Sequence, residues 1–179
     1  MFFNKQKQVA FILPTKCGTH TVRNYLSQVP YWHSLKFIHE PLERIASVYP
    51  NLNQYTVYGF FRNPMLRFES AARHAYRVGS VRFESYDDFV DRIVEMEEAY
   101  KLLVYPQSHW FADPRVTPLD FDNLKSELHR ITETTFPLEQ LNAAGDSWRS
   151  EITDKVRSFV REYYAADYAL AKDRLGKEY

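Results

Sequence analysis

The stretch VAFILPTKCGTHTVRNYL at residues 9–26 constrains the fold more than any other part of the chain. Its apolar run, Val9–Leu13, is continuous rather than alternating, the pattern of a strand buried on both faces. Pro14 stops the run and a polar loop follows. From Thr19 the apolar positions Val22, Tyr25, Leu26 and Val29 recur at helical spacing until Pro30. A strand, a tight loop and a helix in that order open a crossover unit, which favours parallel pairing.

The same alternation continues. Leu35–His39 reads as a second short strand, and His39-Glu40-Pro41 opens a helix with Leu42, Ile45, Ala46 and Tyr49 on one face. TVYGFF at Thr56–Phe61 reads as a third strand running into Arg62-Asn63-Pro64. There Asn63 can cap a helix over Met65–Tyr76 and Pro64 can occupy its first turn. Ser85-Tyr86-Asp87-Asp88 has the form of a capping box for a helix carrying Phe89, Ile93, Met96, Tyr100 and Leu103. Val116–Phe121 is a fourth strand, Leu124–Ile131 a helix, and Ile152–Leu175 a long terminal helix. In the last, Val156, Phe159, Val160, Tyr163, Tyr164 and Tyr168 take core spacing.

This order predicts a three-layer α/β/α fold over residues 1–179, one domain whose central, mainly parallel sheet is covered on both faces. Ligands of such sheets bind beyond the carboxyl ends of the strands. The polar clusters Lys16–Thr21, His39-Glu40 and Arg62-Asn63 fall there.

Composition narrows the chemistry. Lys+Arg and Asp+Glu both total 23, which excludes a broad electrostatic grip on nucleic acid. The single cysteine, Cys17, excludes an intramolecular disulfide and a Cys-rich metal site. His74, His109 and His129 lack metal-ligand spacing, so no metal is expected. No segment approaches the roughly 20 apolar residues of a membrane span, and the amino-terminal run has no signal-peptide layout. A soluble, cytoplasmic protein is the expectation; the oligomeric state is not legible.

The first loop is built for an anion. First-turn N–H groups of a helix lack intrahelical partners, and the dipole adds positive charge there. Gly18 allows close backbone approach, Lys16 supplies a charge, and Thr19 and Thr21 add hydroxyls. The lysine precedes the glycine, so this is not the Walker A order. Cys17 and Arg23 also stand in C-x5-R spacing, the arrangement by which tyrosine phosphatases hold a phosphate over a thiolate. Lys16 and His20 stand where that loop usually has His and Gly. A packing cysteine in an ordinary turn is the third reading.

With the third strand included, the constellation resembles the PAPS-dependent sulfotransferases, PAPS being 3′-phosphoadenosine-5′-phosphosulfate. Their first loop reads Pro-x-Lys-Ser-Gly-Thr or similar; here it is Pro14-Thr15-Lys16-Cys17-Gly18-Thr19, with Cys for the usual hydroxyl residue. Their second motif, a strand into Arg-(Asn/Asp)-Pro with a serine eight residues after the arginine, is met by GFFRNPMLRFES, giving Arg62 and Ser70. FDNL at 121–124, LNAAGDS at 141–147 and REYYAADYAL at 161–170 resemble the end of the carbohydrate branch.

The resemblance implies a P-loop NTPase-like sulfotransferase fold and a sulfuryl transfer from PAPS to a hydroxyl of a glycan or small metabolite. It implies that the backbone of Lys16, Cys17, Gly18, Thr19, His20 and Thr21 wraps the 5′-phosphosulfate, and that Lys16 neutralises charge on the leaving oxygen. Arg62 and Ser70 would hold the 3′-phosphate. His39 is the implied general base and Glu40 its understudy, while His20 could touch the sulfonate or acceptor and His33 is structural or at the surface. The arginines at 67, 73, 77 and 82 could border an anionic acceptor, although a solvated helix face accounts for them more simply. The rival readings are a Cys17-dependent phosphatase and a nucleotide-binding module without turnover.

Overall fold

Hydrogen bonding between short apolar strands organises the chain. In the computed structural model, which describes residues 1–37, 39–138 and 150–179, the elements begin with β1 (Phe2–Asn4), β2 (Val9–Phe11), α1 (Thr19–Gln28), β3 (Trp32–Ser34) and α2 (Leu42–Val48). β4 (Thr56–Phe61), α3 (Pro64–Val78), α4 (Tyr86–Arg92), α5 (Glu98–Lys101) and α6 (Ser108–Phe111) follow. β5 (Val116–Asp120), α7 (Leu124–Thr132), α8 (Asp154–Tyr163) and α9 (Ala165–Leu175) complete the order. The chain divides into two compact units, Met1–Arg62 with Ser108–Asn142, and Asn63–Gln107 with Ala143–Tyr179.

The first unit holds the sheet, in the order β3-β1-β2-β4-β5. β2 pairs parallel with β4, and β4 with β5, while β1 is antiparallel to both neighbours. Hence β1 is the one reversed strand, and β2, β3, β4 and β5 point the same way. One face carries Phe11, Phe60 and Leu119 against Val22, Tyr25 and Leu26 of α1 and Leu124, Leu128 and Ile131 of α7. The other face carries Phe61, whose ring meets Phe111 of α6 edge-on at 5.7 Å. Gly59 makes room there, because a β-carbon on it would lie 2.9 Å from Ile12 and 3.0 Å from Phe111. The expected α/β architecture with a mainly parallel sheet, helices on either face, is what the chain adopts.

The second unit is helical, with Phe68, Ala71, Ala72 and Ala75 of α3 packed with Phe89 of α4 and Val156 and Val160 of α8. Asn63 caps α3 as expected, accepting from the Met65 and Leu66 N–H groups at 2.9 and 3.2 Å. Ser85 caps α4 through the Asp88 N–H, but Asp88 reaches back to the Glu84 N–H, one residue before the cap.

Three boundaries differ from the sequence reading. The strand placed at Leu35–His39 is instead Trp32–Ser34, because β1, a partner the apolar pattern did not reveal, pairs with those residues. The helix drawn through Leu103 breaks after Arg92 into a 3-10 turn and α5. The terminal helix breaks at Tyr164, where two polar anchors draw the chain inward. Tyr164 is fully buried, donates to the Val104 carbonyl at 2.8 Å and meets Arg67, and burial pushes its phenol pKa upward. Buried Asp167 accepts from the Gln107 N–H at 2.8 Å. Arg67, itself fully buried, lies over the Tyr164 ring at 5.9 Å, so it belongs neither to an acceptor border nor to a solvated face. The 141–147 turn lies outside the described residues. Among the described residues, no helix is long and apolar enough to cross a membrane.

Tyr164→Phe leaves the buried Val104 carbonyl without this donor, which costs about 1–3 kcal/mol. A urea melt should show the midpoint falling with little change in slope.

Candidate functional site

The carboxyl ends of β2 and β4 set the site. Beyond β2 the chain runs through Leu13 and Pro14 into a loop whose Lys16 has φ +62 and whose Gly18 has φ +75. Two left-handed residues flank Cys17 and turn the backbone sharply before α1. Gly18 is the residue before α1, and the first intrahelical bond runs from the Val22 N–H to the Gly18 carbonyl at 2.9 Å. The Thr19 hydroxyl donates to the Pro14 carbonyl at 3.0 Å and so closes the loop on itself. Thr19 and Thr21 are buried and His20 is exposed.

Arg62, the residue after β4, donates from Nη1 to the Lys16 carbonyl at 3.2 Å. Its guanidinium lies 5.0 Å over the ring of Phe121. The same ring covers Gly18, where a β-carbon would stand 2.8 Å from Phe121 Cε2 and 3.0 Å from Leu124. Phe121 therefore braces both the loop and the strand-end arginine. Sequence reasoning missed this role; the one available signal was an aromatic residue closing the strand read at Val116–Phe121, which in the structure ends at Asp120.

His39 also reaches this loop. Its Nδ1 lies 2.7 Å from the Leu13 carbonyl, just before Pro14. A carbonyl only accepts, so Nδ1 carries the hydrogen and the neutral ring keeps its lone pair on Nε2. Burial lowers the His39 pKa below the ordinary 6.5; the Leu13 bond opposes this, and nearby positive charges, His20 and Arg23 among them, add to it. The shift favours the neutral ring.

Other residues singled out from sequence stand elsewhere. Glu40 is paired with Arg44 at 3.2 Å. His33 is exposed on β3, its ring 5.6 Å from that of Phe3. Cys17 is 2% exposed and belongs to the apolar cluster with Val22 and Leu124, so only its backbone shares the turn. That burial removes the geometric basis for a thiolate nucleophile paired with Arg23. Ser70 lies half-buried on α3, in the second unit. Among the described residues, no cluster of His, Cys, Asp and Glu forms a metal site.

No family model matches the chain, and no curated protein matches it in sequence. Among solved structures, a sulfotransferase from Alicyclobacillus acidocaldarius superposes with a TM-score of 0.54. The match covers 95% of this chain and 96% of that one, at 14% identity. The fold is sulfotransferase-like. Within it, the loop after β2 and the arginine after β4 lie at the ends of adjacent parallel strands, where open α/β sheets hold ligands.

Two outcomes test this local geometry. The Cys17 thiol should react with a thiol reagent at the unfolding rate, not at the rate of an exposed thiol. Gly18→Ala forces a β-carbon onto Phe121 at positive φ and should lower stability by about 1–3 kcal/mol, read from denaturant melts.

Proposed function

We propose that the chain is a sulfotransferase that moves a sulfuryl group from PAPS to a hydroxyl acceptor, a carbohydrate or small metabolite. The observation that carries this reading is the bond from Arg62 to the Lys16 carbonyl. It couples the anion loop to a strand-end guanidinium, so that two separate anionic groups can be bound side by side. A donor with a 5′-phosphosulfate and a 3′-phosphate has that charge layout. The sulfotransferase-like fold supports the same reading.

The residues fit such a substrate. The turn from Lys16 to Thr21 and the amino-terminal end of α1 face charge with N–H groups and the helix dipole. The planar Arg62 guanidinium suits a phosphate bound through two oxygens. PAPS supplies an activated sulfur whose bond to the bridging phosphate oxygen breaks as the acceptor oxygen attacks. His39 Nε2 takes the acceptor proton, and its depressed pKa keeps it ready to do so. Lys16 neutralises the charge that grows on the leaving oxygen, favouring the transition state over the ground state.

Isothermal titration is the decisive measurement. Adenosine 3′,5′-bisphosphate should bind roughly 10–100-fold more tightly than adenosine 5′-monophosphate, as a charge-assisted bond of about 1.5–3 kcal/mol implies. Arg62→Ala should remove that difference; equal binding by the unaltered chain would defeat the 3′-phosphate assignment. His39→Ala should keep bisphosphate affinity and lose about 10²–10⁴ in kcat. A chain that binds the nucleotide but transfers nothing to any hydroxyl acceptor would instead be the binding module.

The pH dependence follows from the sign of the His39 shift. Only the neutral ring accepts a proton, and the folded pKa lies below 6.5. The acid limb of kcat/KM should therefore have its midpoint below that value and level off above it. In His39→Ala this limb should vanish.

A further inference from the structure

His39 holds a backbone conformation that its own side chain disfavours. Its φ is +67, in the left-handed region where a β-carbon crowds the backbone. Such a conformation persists only where the surroundings hold it. Two bonds do so. One is the ring bond from Nδ1 to Leu13 at 2.7 Å. The other comes from Trp110 of α6, whose indole N–H donates to the His39 carbonyl at 2.8 Å.

Trp110 is fully buried. Packing accounts for its ring, which sits edge-on to His109 at 5.1 Å, but not for the aim of its N–H. An indole N–H donates and never accepts, and a buried one usually finds an acceptor. Here that acceptor is the main chain of the residue read as the base. Released from the indole, the His39 backbone can relax toward negative φ. That rotation swings Cβ and draws the imidazole off the Leu13 carbonyl. Both ring nitrogens then compete for the hydrogen.

We propose that Trp110 is a positioning residue: by clamping the His39 carbonyl it keeps the imidazole on Leu13 and so keeps Nε2 as the proton-accepting nitrogen. The inference rests on the reading of His39 as general base, because the clamp serves catalysis only if that ring takes a proton.

Trp110→Phe keeps an aromatic ring and removes the N–H. Long-range proton–nitrogen NMR near neutral pH reads the tautomer directly, with the His39 signal assigned by its loss in His39→Gln. The unaltered chain should show the Nδ1–H tautomer, and Trp110→Phe a mixture with substantial Nε2–H. In parallel, kcat for sulfuryl transfer should fall roughly tenfold, a part of the 10²–10⁴ a general base contributes. The affinity for adenosine 3′,5′-bisphosphate should stay unchanged. If Trp110→Phe does not fold, benzothienylalanine at position 110 replaces it, since sulfur takes the place of the N–H in a ring of nearly the same shape.

A variant that retains the Nδ1–H tautomer and the original kcat overturns the positioning role. So does one that loses kcat and nucleotide affinity together with the tautomer intact, since that marks general damage. Failure of the transferase reading looks different. The tautomer shifts in the variant, supporting the clamp, while the unaltered chain transfers nothing.

Discussion

The parallel pairing of β2 with β4 is the interaction on which the candidate site depends. Val9, Ala10 and Phe11 lie opposite Thr56, Val57 and Tyr58. The ladder is extended by the Thr56 N–H on the Gln8 carbonyl and the Ile12 N–H on the Tyr58 carbonyl, both 2.9 Å. Parallel pairing sends both strands out of the same edge of the sheet. Lys16 and Arg62 are 46 residues apart in sequence, yet each follows shortly after its strand and their atoms meet. A slip of one residue would turn the buried side chains of β2 toward the wrong face. Register therefore protects the chemistry as well as the core.

Much of this was legible in the sequence, for identifiable reasons. β4 needed no correction, because TVYGFF is apolar, β-branched and aromatic, and is stopped by the capping pair Asn63-Pro64. The loop after β2 was legible because one glycine and one lysine stand between a buried run and a helical period. β3 was misplaced because Leu35–His39 is the more apolar stretch, whereas Trp32 is the one buried residue of the strand that forms. What made the difference was β1, a three-residue partner too short to register as a period. The break at Tyr164 was hidden because spacing shows which residues turn inward but not which are polar anchors. Asp167 at a core position is such an anchor.

Within the site, residue identities were legible and conformations were not. Lys16 and His39 both take positive φ without being glycine, and nothing in a side chain announces that. The brace from Phe121 and the bond to the Leu13 carbonyl join residues far apart in sequence, which local patterns do not encode. Cys17 looked chemical because it stood beside a glycine and a lysine. Its burial makes it part of the wall behind the loop: a small, soft side chain that fills space between α1 and α7.

Gly59 lies in the middle of β4 and has no side chain to bring to the chemistry. It is nonetheless the point at which Phe111 closes on the sheet, and Phe111 is the neighbour of Trp110 along α6. The missing methyl group thus sets how near that short helix can lie to the strands, and through it where an indole hydrogen falls. Side-chain size is therefore constrained at a position that offers no functional group at all. A drift in size there would be felt as a change in the direction of an imidazole.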